Sequence, residues 1–163
     1  MPEPGPAIPA SFNPGSLYIA GFTQARAPHV GLILPVDAQS GDLVHIRIDR
    51  SISPNWMYQH RAQKIEGDMF LSSLLKIHDV PAGAITVEDL QKAASVVPAP
   101  QNDTFGECSR WLYMVIQELD RLKLVVLKDV VALEEEFSTF ASDNRAYARR
   151  DRFPNVAVSP HCA

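Results

Sequence analysis

The stretch "HVGLILPVDAQSGDLVHIRID" (His29–Asp49) sets two apolar runs, HVGLIL and LVHIRID, on either side of a segment rich in turn formers. Pro35 stops the first run, and the Asp, Ser and Gly residues of PVDAQSGD supply turn chemistry. The two runs are therefore expected to pair as an antiparallel hairpin. Strand side chains alternate between faces, so Val30, Leu32 and Leu34 share one face and His29 falls on the other. The place of His45 depends on the centre of the turn. A centre near Ala38 sets His29 opposite Arg47, with His45 one diagonal step from His29 on the same face, about 7–8 Å away. A centre at Asp37 sets the histidines directly opposite, and a centre between two residues puts them on different faces.

Working outward, SLYIAGF (Ser16–Phe22) reads as a strand before the hairpin. WMYQHRAQKI (Trp56–Ile65) and MFLSSLLKI (Met69–Ile77) read as two more strands around the turn EGD. TVEDLQKAASVV (Thr86–Val97) has a Thr-x-x-Asp helix start and is stopped by PAP (Pro98–Pro100). The main helix is expected from Thr104 to about Leu122, followed by a short strand LVVLK (Leu124–Lys128) and a last helix over Val130–Asn144. Consecutive antiparallel strands with helices set apart define an α+β domain, an antiparallel sheet or half-barrel packed against helices. Pro2, Pro4, Pro6, Pro9 and Pro14 make residues 1–15 a flexible leader or a surface strap. Residues 16–145 are expected to form the single domain and residues 146–163 a C-terminal tail, with His161 and Cys162 fraying at its end.

A chain of 163 residues can hold one core without a disulfide or a metal. Its net charge of −4 argues against a nucleic-acid partner. The basic run RAYARRDR (Arg145–Arg152) reads as a solvated face. No GxGxxG or GxxxxGK[ST] loop is present to cradle phosphates. The start has neither the basic nor the apolar region of a signal peptide, and no apolar run approaches the ~18 residues that span a bilayer. The two cysteines then read as free thiols in a reducing compartment, so a cytoplasmic protein with no stable membrane association is expected. No Cys or His residues share the close spacing of zinc modules, so no metal and no cofactor are expected.

Cys108 stands where polar residues give way to the main helix. Thr104 and Glu107 fit a capping box, which sets Cys108 in the first turn, where the helix macrodipole stabilises a thiolate. Trp111, Leu112, Val115, Leu119 and Leu122 follow it at spacings of three and four, so the thiol belongs to the packed face. A buried cysteine there is more often inert than catalytic, and what changes this is a histidine within reach. His29 and His45 are the candidates. His60 and His78, with polar neighbours, read as exposed or locally bonded, and Asp49 and Asp79 are alternatives for an orienting group.

The order of a histidine heading a strand (HVGLIL), a histidine in the next strand (LVHI) and a distant cysteine at a helix start (ECSRWL) resembles the permuted NlpC/P60 superfamily. Within it, the likeness is to the lecithin:retinol acyltransferase-like group, over roughly Leu17 to Leu122. The resemblance implies a circularly permuted papain-like fold, with Cys108 as nucleophile, His29 as general base and His45 as the residue that orients it. It implies a cysteine-dependent hydrolase or acyltransferase working through an acyl-thioester. The alternatives are a non-catalytic binding or scaffold domain of the same fold, or a small-molecule cyclase using the same Cys-His site. That group carries Asn-Cys-Glu-His-Phe where this chain has Glu107-Cys108-Ser109-Arg110-Trp111, and often an apolar C-terminal anchor that this chain lacks. Both departures point away from a phospholipid or retinoid and towards a soluble amide, ester or thioester. The oxyanion would be held by the Cys108 N–H and a second donor from Gln101, Asn102 or Tyr58. Trp56, Tyr58 and Trp111 are candidates to line a substrate cleft, or else plain core.

Overall fold

The chain folds as an α+β domain, seen in a computed structural model that describes residues 8–23, 29–149 and 152–162. The first half of the proline-rich leader, residues 1–7, and residues 150–151 of the basic run lie outside the described residues. Six strands form one open sheet in the order β4-β3-β2-β1-β5-β6. They are β1 (Leu17–Phe22), β2 (His29–Pro35), β3 (Ser40–Arg47), β4 (Met57–Lys64), β5 (Leu71–His78) and β6 (Asn155–Val158). Among the described residues three α-helices accompany them, α1 (Val87–Ser95), α2 (Glu107–Arg121) and α3 (Val130–Asp143).

Central β1 is buried at every position, which explains its unbroken apolar sequence: both of its faces are covered. Leu17 and Ile19, with Val30, Leu32, Leu34, Val44, Ile46, Leu75 and Ile77, face the helices. Tyr18, Ala20 and Phe22, with Ile33, Leu43, Ile65, Leu71 and Leu74, build a second core on the opposite face. Phe12, from the second half of the leader, and Phe153 cover that second core, their rings 5.0 Å apart and edge-on. Residues 8–15 are thus a strap, held where the Asn13 N–H donates to the Tyr18 hydroxyl at 2.7 Å and the Gly15 N–H to the Pro35 carbonyl at 2.8 Å.

The β2–β3 hairpin forms with Pro35 paired to Gly41 and Leu32 to Val44, so the turn is centred on Ala38. Asp37 closes it by accepting the N–H groups of Gln39 and Ser40. Gly41 is required because a Cβ there would sit 2.7 Å from the Leu34 carbonyl oxygen and from Pro35 Cα.

Several elements differ from the sequence expectation. β4 and β5 are not neighbours around the turn at residues 66–68; β4 pairs with β3 and β5 with β1. Only six residues, 65–70, connect them, and Ile65 and Leu71 pack into the same core. The sheet must curl around its second face for so short a connection to cross it. The sheet is mixed, because β6 runs parallel to β5; that strand lies in the stretch expected as a tail. Leu124–Lys128 forms no strand, only an isolated bridge from Leu127 to Cys162, which is buried. The capping box at Thr86 and Asp89 of α1 is present as expected.

Candidate functional site

Two strands build the first half of the site. With the turn centred on Ala38, His29 and His45 fall on the same face, one diagonal step apart. That face is the one opposite the helices, where the ring of Phe22, the cross-strand partner of His29, lies 6.0 Å from the imidazole and tilted 40° to it. Between the histidines lies Gly31. A Cβ there would meet Leu43 Cδ1 at 2.8 Å, the Val44 carbonyl oxygen at 3.0 Å and His45 Cβ at 3.1 Å. Glycine therefore lets β3 approach closely enough for His29 Nε2 and His45 Nδ1 to lie 2.7 Å apart.

The third member comes from β4, where Gln59 pairs directly opposite His45. His45 Nε2 lies 2.8 Å from Gln59 Oε1. An amide oxygen only accepts, so this contact assigns the His45 proton to Nε2 and leaves Nδ1 as a lone pair. His29 must then donate from Nε2, which leaves its own Nδ1 unprotonated. Burial, then the neighbouring His45, then Arg61 lower the His29 pKa from 6.5 to about 4. His45 is likewise lowered from 6.5 to about 4, burial being the main cause. Both rings are neutral at pH 7, and the hydrogen-bonded chain Gln59–His45–His29 leaves His29 Nδ1 without a proton.

Cys108 lies on the other side of the sheet. α2 starts at Glu107 with Gly106 as its N-cap, at φ +93 and without a side-chain cap. The expected capping box of Thr104 and Glu107 is therefore absent, because glycine's left-handed conformation turns the chain into the helix two residues later. Cys108 still occupies the first turn. It is buried with Val30, Trp111 and Leu112 in the helix-side core. Burial pushes its thiol above the ordinary value, against the weaker opposing pull of the Val30, Ser109 and Cys108 N–H groups. The thiolate stabilisation expected from the helix dipole is outweighed by desolvation. The thiol meets β2 at the Val30 N–H, the peptide group joining Val30 to His29. Side chains of Val30 and His29 point to opposite faces, so the thiol and the histidine pair lie on opposite sides of β2, at the end of the strand beyond its last β3 pairing at Leu32–Val44.

An open cleft of about 360 Å³ lies over the largely buried histidine pair, lined by His29, His45, Arg47, Ile48, Trp56 and Arg61. Of the cleft and donor candidates, Trp56 lines it, its indole N–H given to the Thr104 carbonyl at 3.0 Å. Trp111 is core: it is buried, and its indole N–H donates to the Val97 carbonyl at 2.9 Å. Tyr58 faces the helices, its ring 6.0 Å from that of Trp111. Gln101 and Asn102 are exposed, and Asn102 accepts from the Trp56 and Thr104 N–H groups. Asp49 turns to Ser51 and Arg47, and Asp79 to Ser16 and Lys76, so neither serves the histidines. His60 donates to Asp42 at 2.9 Å, and buried His78 donates to the Gly83 carbonyl at 2.6 Å. Among the described residues, no three His, Cys, Asp or Glu side chains converge to hold a metal ion.

Gln59, Arg61 and Arg47 were missed as site residues. The alternation of Gln59, Arg61 and Gln63 along β4 marked a polar face, but only its pairing with β3 shows that this face meets His45. The fold and site together define an α+β protein with a hydrogen-bonded histidine pair lining an open cleft and a buried thiol on the opposite side of β2. No family model, curated protein or solved structure matches the chain, and no described helix is long and apolar enough to cross a membrane.

Proposed function

We propose that the protein is a cysteine-dependent hydrolase or acyltransferase of circularly permuted papain-like fold, acting through an acyl-thioester on a soluble amide, ester or thioester. The observation that carries this is the directional hydrogen-bonded chain: Gln59 fixes the proton of His45, His45 fixes that of His29, and His29 Nδ1 is left unprotonated, one residue along β2 from the Val30 N–H that meets the Cys108 thiol. In the resting site both partners are neutral. As Cys108 Sγ attacks the substrate carbonyl, its proton passes to His29 Nδ1, and the developing imidazolium is stabilised through His45. Collapse of the tetrahedral intermediate breaks the bond to the leaving group, which takes the proton from His29. Water or an acceptor hydroxyl or amine then attacks the thioester, its proton returning through His29 to the thiol. The Cys108 N–H in the first turn of α2 would receive the oxyanion, since the Ser109 N–H is already given to the Gly106 carbonyl at 3.2 Å.

A non-catalytic binding domain of the same fold is the competing assignment, favoured by the burial of Cys108 and by its position on the far face of β2. The two separate on exposure of the full chain to p-nitrophenyl acetate at neutral pH, read by intact mass and peptide mapping. An enzyme acetylates at Cys108, loses the label in Cys108→Ala, and slows by about a hundredfold or more in His29→Gln. Absence of acetyl-Cys108, or equal rates with and without His29, would leave the binding domain as the function.

A further inference from the structure

The geometry points to the cleft over the histidine relay as a binding site for a carboxylate carried on a flat, apolar body. Of its six described lining residues, two are arginines, two are histidines held neutral, and none is acidic. In a chain of net charge −4, two guanidinium groups gathered with no lining carboxylate form a local positive field. Among the described residues, neither arginine is neutralised by a strong ion pair. Arg47 reaches Asp49 only at 3.7 Å, with both side chains about a third exposed, a contact of little strength in water. Arg61 gives one N–H to a neutral amide, Gln63 Oε1, at 2.8 Å, and among the described residues its other donors have no further side-chain partner. A planar guanidinium matches a carboxylate with two parallel hydrogen bonds.

The flat body follows from Trp56. Its indole N–H is spent on the Thr104 carbonyl and its backbone N–H on the Asn102 carbonyl at 2.9 Å. What it offers the cleft is a fixed apolar ring, joined by Ile48. A ligand with its carboxylate between Arg47 and Arg61 would lay its body on this ring, over His29 and His45. The inference rests on the cleft of the proposed enzyme site but not on turnover by Cys108, so the two can fail separately.

Calorimetry and NMR of the histidine ring signals at neutral pH test it, in the native chain and in Cys108→Ala, with benzoate, benzamide and inorganic phosphate as probes. Benzoate should bind saturably and shift the His29 and His45 signals in both chains. Benzamide, the neutral isostere, should bind at least about tenfold more weakly, and Arg47→Gln with Arg61→Gln should weaken benzoate by a similar factor. Both arginines lie outside the core, and a circular dichroism spectrum unchanged from the native chain shows that the variant is folded. No saturable benzoate binding, equal affinity for benzamide, or binding of phosphate without benzoate would overturn the assignment. Benzoate binding in a chain that never acetylates at Cys108 supports the cleft and removes only the thiol chemistry.

Discussion

Lowering the pH should unfold this protein through its histidine pair. His29 and His45 have pKa values lowered from 6.5 to about 4 in the folded chain, so the unfolded chain takes up protons first as pH falls. Stability from the neutral pair is therefore fully present above about pH 6.5 and is lost as pH falls towards 4. Near pH 5 each unfolded ring is almost wholly protonated and each folded ring almost wholly neutral. Relative to pH 7.5, that difference removes about 2 kcal/mol per ring, and about 4 kcal/mol for the pair. The assay is urea unfolding across this range, comparing the native chain with His29→Gln/His45→Gln. The variant cancels the carboxylates and the other histidines, leaving the pair as the difference in slope. Its absolute stability is immaterial, since only the pH dependence is read. A native chain that loses under about 1 kcal/mol over this interval, or a variant with the same slope, would refute a pair held neutral by burial.

Two further outcomes follow from the same geometry. Gln59→Leu removes the acceptor that fixes the His45 tautomer and leaves a buried N–H unpaired. It should cost about 1–3 kcal/mol in urea unfolding and scramble the His29 tautomer seen by nitrogen NMR; an unchanged tautomer would mean that Gln59 does not set it. Gly31→Ala forces a methyl to within 2.8 Å of Leu43 Cδ1 and 3.0 Å of the Val44 carbonyl. It should destabilise by about 1–3 kcal/mol and lengthen the His29–His45 contact in a crystal structure; a variant of native stability and spacing would show that β3 has room to spare.

Much of the hairpin was legible in the sequence because its determinants are local. Alternation set Val30, Leu32 and Leu34 against His29, and a turn running from Pro35 to Gly41 carried the parity that puts His45 beside His29. The start of α1 followed from its Thr86 cap, the span of α3 was read to within a residue, and Cys108 was placed in the first turn of α2 even though Gly106, not Thr104, begins it. What only the tertiary structure decided were the pairings between distant segments. Nothing within MYQHRAQK says that it lies beside β3 while β5 lies beside β1, and so nothing local puts Gln59 on His45 or Arg61 in the cleft. Asn155–Val158 has too short a pattern to announce a parallel partner. The side of the sheet on which α2 packs, which sets Cys108 behind β2, depends on which face of the hairpin the helices cover. Desolvation is likewise a property of the assembled core, and it raises the Cys108 thiol where the local helix dipole alone would lower it.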